Sequence, residues 1–196
     1  MIERLATASP RLRARIAGVL YLIIFIASPS GADSATPANM IITLVCDSGV
    51  ALLFYNLLKP VRKSLSLFAA LWRLIFVAVM AVNSLNYFGL LDLFKSAHSS
   101  AAFNTGYDLA LVPFGIHCLV TGYLIFKSKF LPKIIGILML LVGFGYLTFV
   151  WPPLGDQLFV PYILVLALLA EGSLTLWLIL FGVNTERWTA QATGHT

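Results

Sequence analysis

Charge is scarce in this sequence. Of its 196 residues 11% are Asp, Glu, Lys or Arg and 60% are hydrophobic, and the mean hydropathy is +0.93. A soluble domain carries roughly 25% charged residues, so this chain lacks the polar groups to coat a surface in water. Cysteine is equally sparse: Cys46 and Cys118 both lie inside apolar stretches. That excludes a disulfide framework and a Cys-rich zinc pattern. The three histidines, His98, His117 and His195, are spread so that no three-ligand metal site assembles at helical spacing. Neither a metal nor another cofactor is expected. The net charge of +5 invites a nucleic-acid reading. Its basic residues, however, sit in short clusters between apolar runs rather than in a patch with exposed aromatics, so nucleic acid is not an expected partner. A nucleotide loop, a serine nucleophile elbow and a redox cysteine pair are missing as well.

What the chain has in quantity is long apolar runs. At a rise of ~1.5 Å per residue, about 20 residues cross a ~30 Å hydrocarbon core. Candidate transmembrane helices run over about 15–28, 38–58, 65–91, 101–126, 131–150 and 158–183, the first being the shortest. The expected fold class is an all-α integral membrane bundle of six transmembrane helices, a single domain over 1–196, with membrane lipids as its surroundings. Lys59-Pro60 closes the second span, and Pro132 opens the fifth just inside a helix start. Trp151-Pro152-Pro153-Leu154-Gly155-Asp156 reads as a stretch that cannot continue a helix, with Trp151 at an interface. Pro113 is expected to kink the fourth span and free the Leu109 carbonyl.

Orientation follows from the loop charges. Arg4, Arg11, Arg13, Arg15, Lys59, Arg62, Lys63, Lys127, Lys129, Lys133 and Arg187 fall on alternate connections, and Lys95 alone on the opposite side. The positive-inside rule then predicts that both termini are cytoplasmic. A second reading of the N-terminal region stays open. Arg11–Arg15, the apolar run Ala17–Ala27 and the small residues up to Ala32 also look like a signal peptide, whose removal would leave five spans.

Four spans carry an ionisable side chain where hydrocarbon is a poor solvent: Asp47, Arg73, His117 and Glu171. Counted from the basic end of each helix, they lie about nine to twelve residues in, so their depths agree to within roughly 5 Å. Small and polar residues share their helical faces. Ser66, Ala69, Ala70 and Ser84 flank Arg73; Gly106, Ala110 and Thr121 flank His117; Ala167, Thr175 and Gly182 flank Glu171; Thr43 and Ala51 flank Asp47. Such stripes let helix backbones approach, so the four groups are expected to converge inside the bundle. Arg73 stays charged and should ionise one carboxyl beside it. The other carboxyl has three choices: to stay protonated, to pair with a protonated His117, or to face water. A carboxyl and an imidazole sharing a proton would be a competent relay.

Asn83, Asn86, Thr121 and Tyr146 are candidate binding groups. Asn83 and Asn86 could extend polarity towards the outer side, or make ordinary interhelical hydrogen bonds. Asp92 and Asp108 fall near the outer boundary, where a solvated carboxylate needs no explanation. Cys46 and Cys118 read as small apolar fillers.

Several stretches together resemble bacterial membrane proteins of the domain of unknown function 4386 family. They are Arg13-Ala14-Arg15-Ile16-Ala17-Gly18, Cys46-Asp47 with Lys59-Pro60-Val61, Trp72-Arg73-Leu74, Phe114-Gly115-Ile116-His117, Leu131-Pro132-Lys133 and Glu171-Gly172-Ser173-Leu174. The resemblance runs from about Arg11 to Asn184. It implies a six-helix protein of the bacterial cytoplasmic membrane that retains its first span, and it assigns no activity. Asp47, Arg73, His117 and Glu171 fall on positions matching the family pattern. Ser28–Pro37 looks shorter than usual for it.

Three functions remain open: an intramembrane enzyme with Asp47, Arg73, His117 or Glu171 as candidate catalytic groups on a lipophilic small molecule, a small proton-coupled transporter, and a bundle whose charge cluster only stabilises it.

Overall fold

The computed structural model describes residues 9–29, 31–90 and 99–194. Arg4, Leu91, Asp92, Lys95, His98 and His195 lie outside the described residues. Among the described residues the architecture is all helical. The helices are α1 (Pro10–Ala27), α2 (Pro37–Leu58), α3 (Lys63–Tyr87), α4 (Ser100–Lys127), α5 (Lys133–Leu147), α6 (Pro152–Leu158), α7 (Leu164–Leu180) and α8 (Thr185–Thr193). Short 3-10 turns cover Ala32–Ser34 and Thr148–Val150.

The local sequence explains the starts. Ser9 caps α1 by accepting from the Leu12 N–H, and Pro10 takes the first-turn position that needs no donor. Thr36 and Asn39 form a reciprocal capping box on α2. Ser99 caps α4 through the Ala102 N–H.

Five stretches are long and apolar enough to cross a membrane: Pro37–Leu58, Lys63–Tyr87, Ser100–Lys127, Lys133–Val150 and Pro152–Leu180. α1 differs from them because Arg11, Arg13 and Arg15 occupy its first turns, leaving a short apolar remainder. Each helix packs on its sequence neighbour from α1 to α5; α7 then packs on both α5 and α1 and closes a ring of six. Large aliphatics such as Ile41, Val45, Leu67, Leu71, Leu168 and Leu176 are exposed on its outside. Charged and polar groups are buried within, the reverse of a protein in water.

α4 runs as one helix through Pro113. An interruption that the sequence reading did not place falls in the last long stretch. There Val160 leaves helical geometry within a π-type turn at Phe159–Ile163. The proline pair after Trp151 does break the chain path at Trp151, yet Pro152 and Pro153 start α6, where a missing N–H costs nothing. α8 was unforeseen, since it is a short polar helix with no buried residue.

The tightest seam is α4 against α5. A Cβ on Gly122 would stand 2.8 Å from the Gly136 carbonyl oxygen, and one on Gly115 3.0 Å from that of Gly143. Glycines seven residues apart on antiparallel helices thus bring the two backbones into contact.

Candidate functional site

Each helix of the ring contributes a polar side chain to one layer of its interior: Tyr21 from α1, Asp47 from α2, Arg73 from α3, His117 from α4, Tyr146 from α5 and Glu171 from α7. None is more than 8% exposed. The small-residue stripes explain the placement. Ser66, Ala69, Ala70 and Ser84 are buried with Arg73, while Leu67, Leu71 and Ile75 on the same helix face outwards.

Arg73 is the hub. Its Nε donates to Asp47 Oδ1 at 3.0 Å and its Nη2 to the same oxygen at 2.5 Å. Its Nη1 donates to Tyr21 Oη at 2.5 Å and faces His117 Nε2 at 3.1 Å. The guanidinium also lies 4.6 Å from the Tyr21 ring centre and 5.3 Å from that of Phe114, within cation–π range. A guanidinium only donates, so His117 Nε2 must accept. Its Nδ1, 2.9 Å from the Ala69 carbonyl oxygen, then carries the proton and donates. An imidazolium would turn an N–H towards the guanidinium. The shared carboxyl–imidazole proton and the pairing of a carboxyl with a protonated His117 are therefore not what this geometry forms. The network binds four helices, and four of the five guanidinium N–H groups are engaged.

Glu171 stands apart. Tyr146 Oη donates to its Oε1 at 2.7 Å, and Glu171 makes no ion pair among the described residues. Phe114 lies between the two groups, 5.7 Å from the His117 ring and 5.4 Å from the Tyr146 ring. Gly172, the next residue, lies on the outward face of α7 with exposed Leu168 and Leu176, and a Cβ there would meet nothing within 4 Å.

The remaining candidates serve contacts between and within helices. Asn83 Nδ2 donates to the Phe103 carbonyl at 2.9 Å, with Gly106 leaving room for the amide. Asn86 is buried, and its Oδ1 has no hydrogen-bond partner. Thr121 Oγ1 is 3.5 Å from both ring nitrogens of His117, at the limit of hydrogen bonding. Asp108 is half-buried, and Cys46 and Cys118 are buried free thiols. Among the described residues no three His, Cys, Asp or Glu side chains gather as they would around a metal ion.

Tyr21 escaped the sequence reading, although a signal was there. Ala14, Ala17 and Gly18 stand seven, four and three residues before it, the same small stripe that marks Arg73. Cavities of about 680 and 540 Å³ open at the end that carries the loop cations, and neither is lined by any of the six layer residues.

Apolar helices of membrane-crossing length around a buried charged core define a membrane-protein class. More particularly, the chain belongs to the family described as domain of unknown function DUF4386, whose model matches residues 35–182. The match begins after α1. A protein of Archaeoglobus fulgidus, itself described as uncharacterized, is 31% identical over 109 residues, 56% of this chain. The alignment spans 61% of that relative's length. No solved structure matches the chain.

Proposed function

We propose that this is a six-span protein of the bacterial cytoplasmic membrane, both termini cytoplasmic, that exchanges a proton at Glu171 for a lipophilic cationic small molecule. It is then a small proton-coupled carrier. Glu171 is the exchanging group, Tyr146 positions its carboxyl, and the Arg73 hub holds the bundle together. One observation carries the reading: among the described residues, a buried carboxyl with a phenol as its hydrogen-bond partner and no cation within ion-pair distance. A bare carboxylate in a membrane interior is costly, so the site is satisfied by a proton or by a cation, and the two compete. The interrupted backbone at Val160, on the same stretch as Glu171, also supports it, since broken helices line the binding sites of many carriers. The enzyme reading draws less support, because an arginine already bonded to Asp47, Tyr21 and His117 has little left to hold a substrate anion.

The test uses tetraphenylphosphonium as probe. Purified protein in weakly buffered detergent should release about one proton per probe bound, and Glu171→Gln should bind it at least tenfold more weakly without release. Equal binding by wild type and variant, or binding without proton release, would defeat the proposal.

A further inference from the structure

We propose that the cavity of about 680 Å³ beside α8 is a binding site for an anionic, phosphate-bearing headgroup. The inference rests on the membrane placement of the bundle and is independent of the proton chemistry at Glu171. The cavity is lined by Arg11 from α1, Lys129 from the α4–α5 connection and Arg187 from α8. Glu186 is the opposing charge on its wall.

Several other cations at this end are already engaged, while Arg62 and Lys63 line the neighbouring cavity. Arg15 donates to the Leu180 carbonyl, Lys59 to Asn56, and Lys127 and Lys133 sit over the Tyr123 and Phe126 rings. Arg11, Lys129 and Arg187 have no side-chain hydrogen bond or ion pair among the described residues. Three unpaired cations from three separate elements therefore converge on one concavity.

The fold fixes that convergence. Gly182, with φ +67°, turns the chain out of α7, and a Cβ there would stand 2.9 Å from Arg11 Cγ. α8 is then pinned across the end of the bundle at two points. Trp188 Nε1 donates to the Leu57 carbonyl at 2.8 Å, and the Lys129 N–H donates to Gln191 Oε1 at 3.0 Å. The cavity's other wall is apolar: Trp177 and Phe181, with ring centres 4.6 Å apart, and Leu131. Phe181 is 56% exposed on the outer surface of the bundle. Cations at the aqueous end and aromatics towards the hydrocarbon match a phospholipid, its phosphate on the former and its first acyl carbons on the latter.

The experiment titrates the full-length protein in detergent with dioctanoyl-phosphatidylglycerol, dioctanoyl-phosphatidylcholine and inorganic phosphate, counting bound molecules by native mass spectrometry. One phosphatidylglycerol should bind about tenfold more tightly than phosphatidylcholine. The triple variant R11Q/K129Q/R187Q should lose at least tenfold, and R187Q alone about threefold. The charge-matched triple K59Q/R62Q/K63Q, around the neighbouring cavity, should lose less than threefold. Inorganic phosphate that fails to compete identifies the source as lipid; phosphate that displaces the lipid at equal concentration identifies a soluble phosphate, and either result supports the site. Equal losses in the two triples would reduce the effect to general surface charge and overturn the proposal. So would equal affinity for the two lipids.

Discussion

Arg73 and Glu171 share one interior and are solvated in opposite ways. Around Arg73 the protein supplies a carboxylate, a phenol, an imidazole and two aromatic faces from α1, α2 and α4. Glu171 receives one phenol. Under the proposed function, the difference separates scaffolding from chemistry. A group whose valences are filled by its own chain stays put, while one left short remains available to a ligand.

The contrast is broken most directly by removing charge while keeping shape. Asp47→Asn should destabilise the bundle by about 3–5 kcal/mol, because it leaves a buried guanidinium without its counter-charge. Reversible unfolding in mixed micelles measures this, and a loss below about 1 kcal/mol would contradict the hub. Gly136→Leu comes next, at about 2–3 kcal/mol in the same assay, because the added side chain meets the Phe126 backbone and neither helix can give way. Tyr21→Phe keeps the ring over the guanidinium and deletes only the hydroxyl, so about 1–2 kcal/mol is expected. Glu171→Gln, the same chemical change as Asp47→Asn, should cost less than about 1 kcal/mol, since the amide oxygen still accepts from Tyr146. If the two isosteric changes cost the same, the division between hub and exchange site fails.

Much of this arrangement was legible in the sequence. The long spans follow from apolar length alone, and the inward face of α3 follows from the small residues spaced around Arg73. Partner choice was less legible. Helical spacing places Asp47, His117 and Glu171 at one depth but does not say which of them the guanidinium reaches, because that depends on helix order around the ring. Tyr21 carries no charge and sits in a span with too few apolar residues to stand out, so its role emerged only once α1 was seen against α3's arginine. The glycine register between α4 and α5 was readable in principle, since Gly115 and Gly122 are spaced as Gly136 and Gly143 are. It needed the antiparallel pairing before it meant anything. α8 gave no hydrophobic signal, and its placement depends on two hydrogen bonds to distant elements.

Contact between α1 and α7 has a consequence for biogenesis. During synthesis Arg73 can meet Asp47 once α3 is inserted beside α2, and His117 follows when α4 emerges. α1, made before the rest of the ring, has one flank uncovered until α7 leaves the ribosome and docks beside Gly18. Closure of the ring is thus deferred to α7, and a nascent chain stalled before Leu164 would present an open-sided assembly to the quality-control machinery of the membrane.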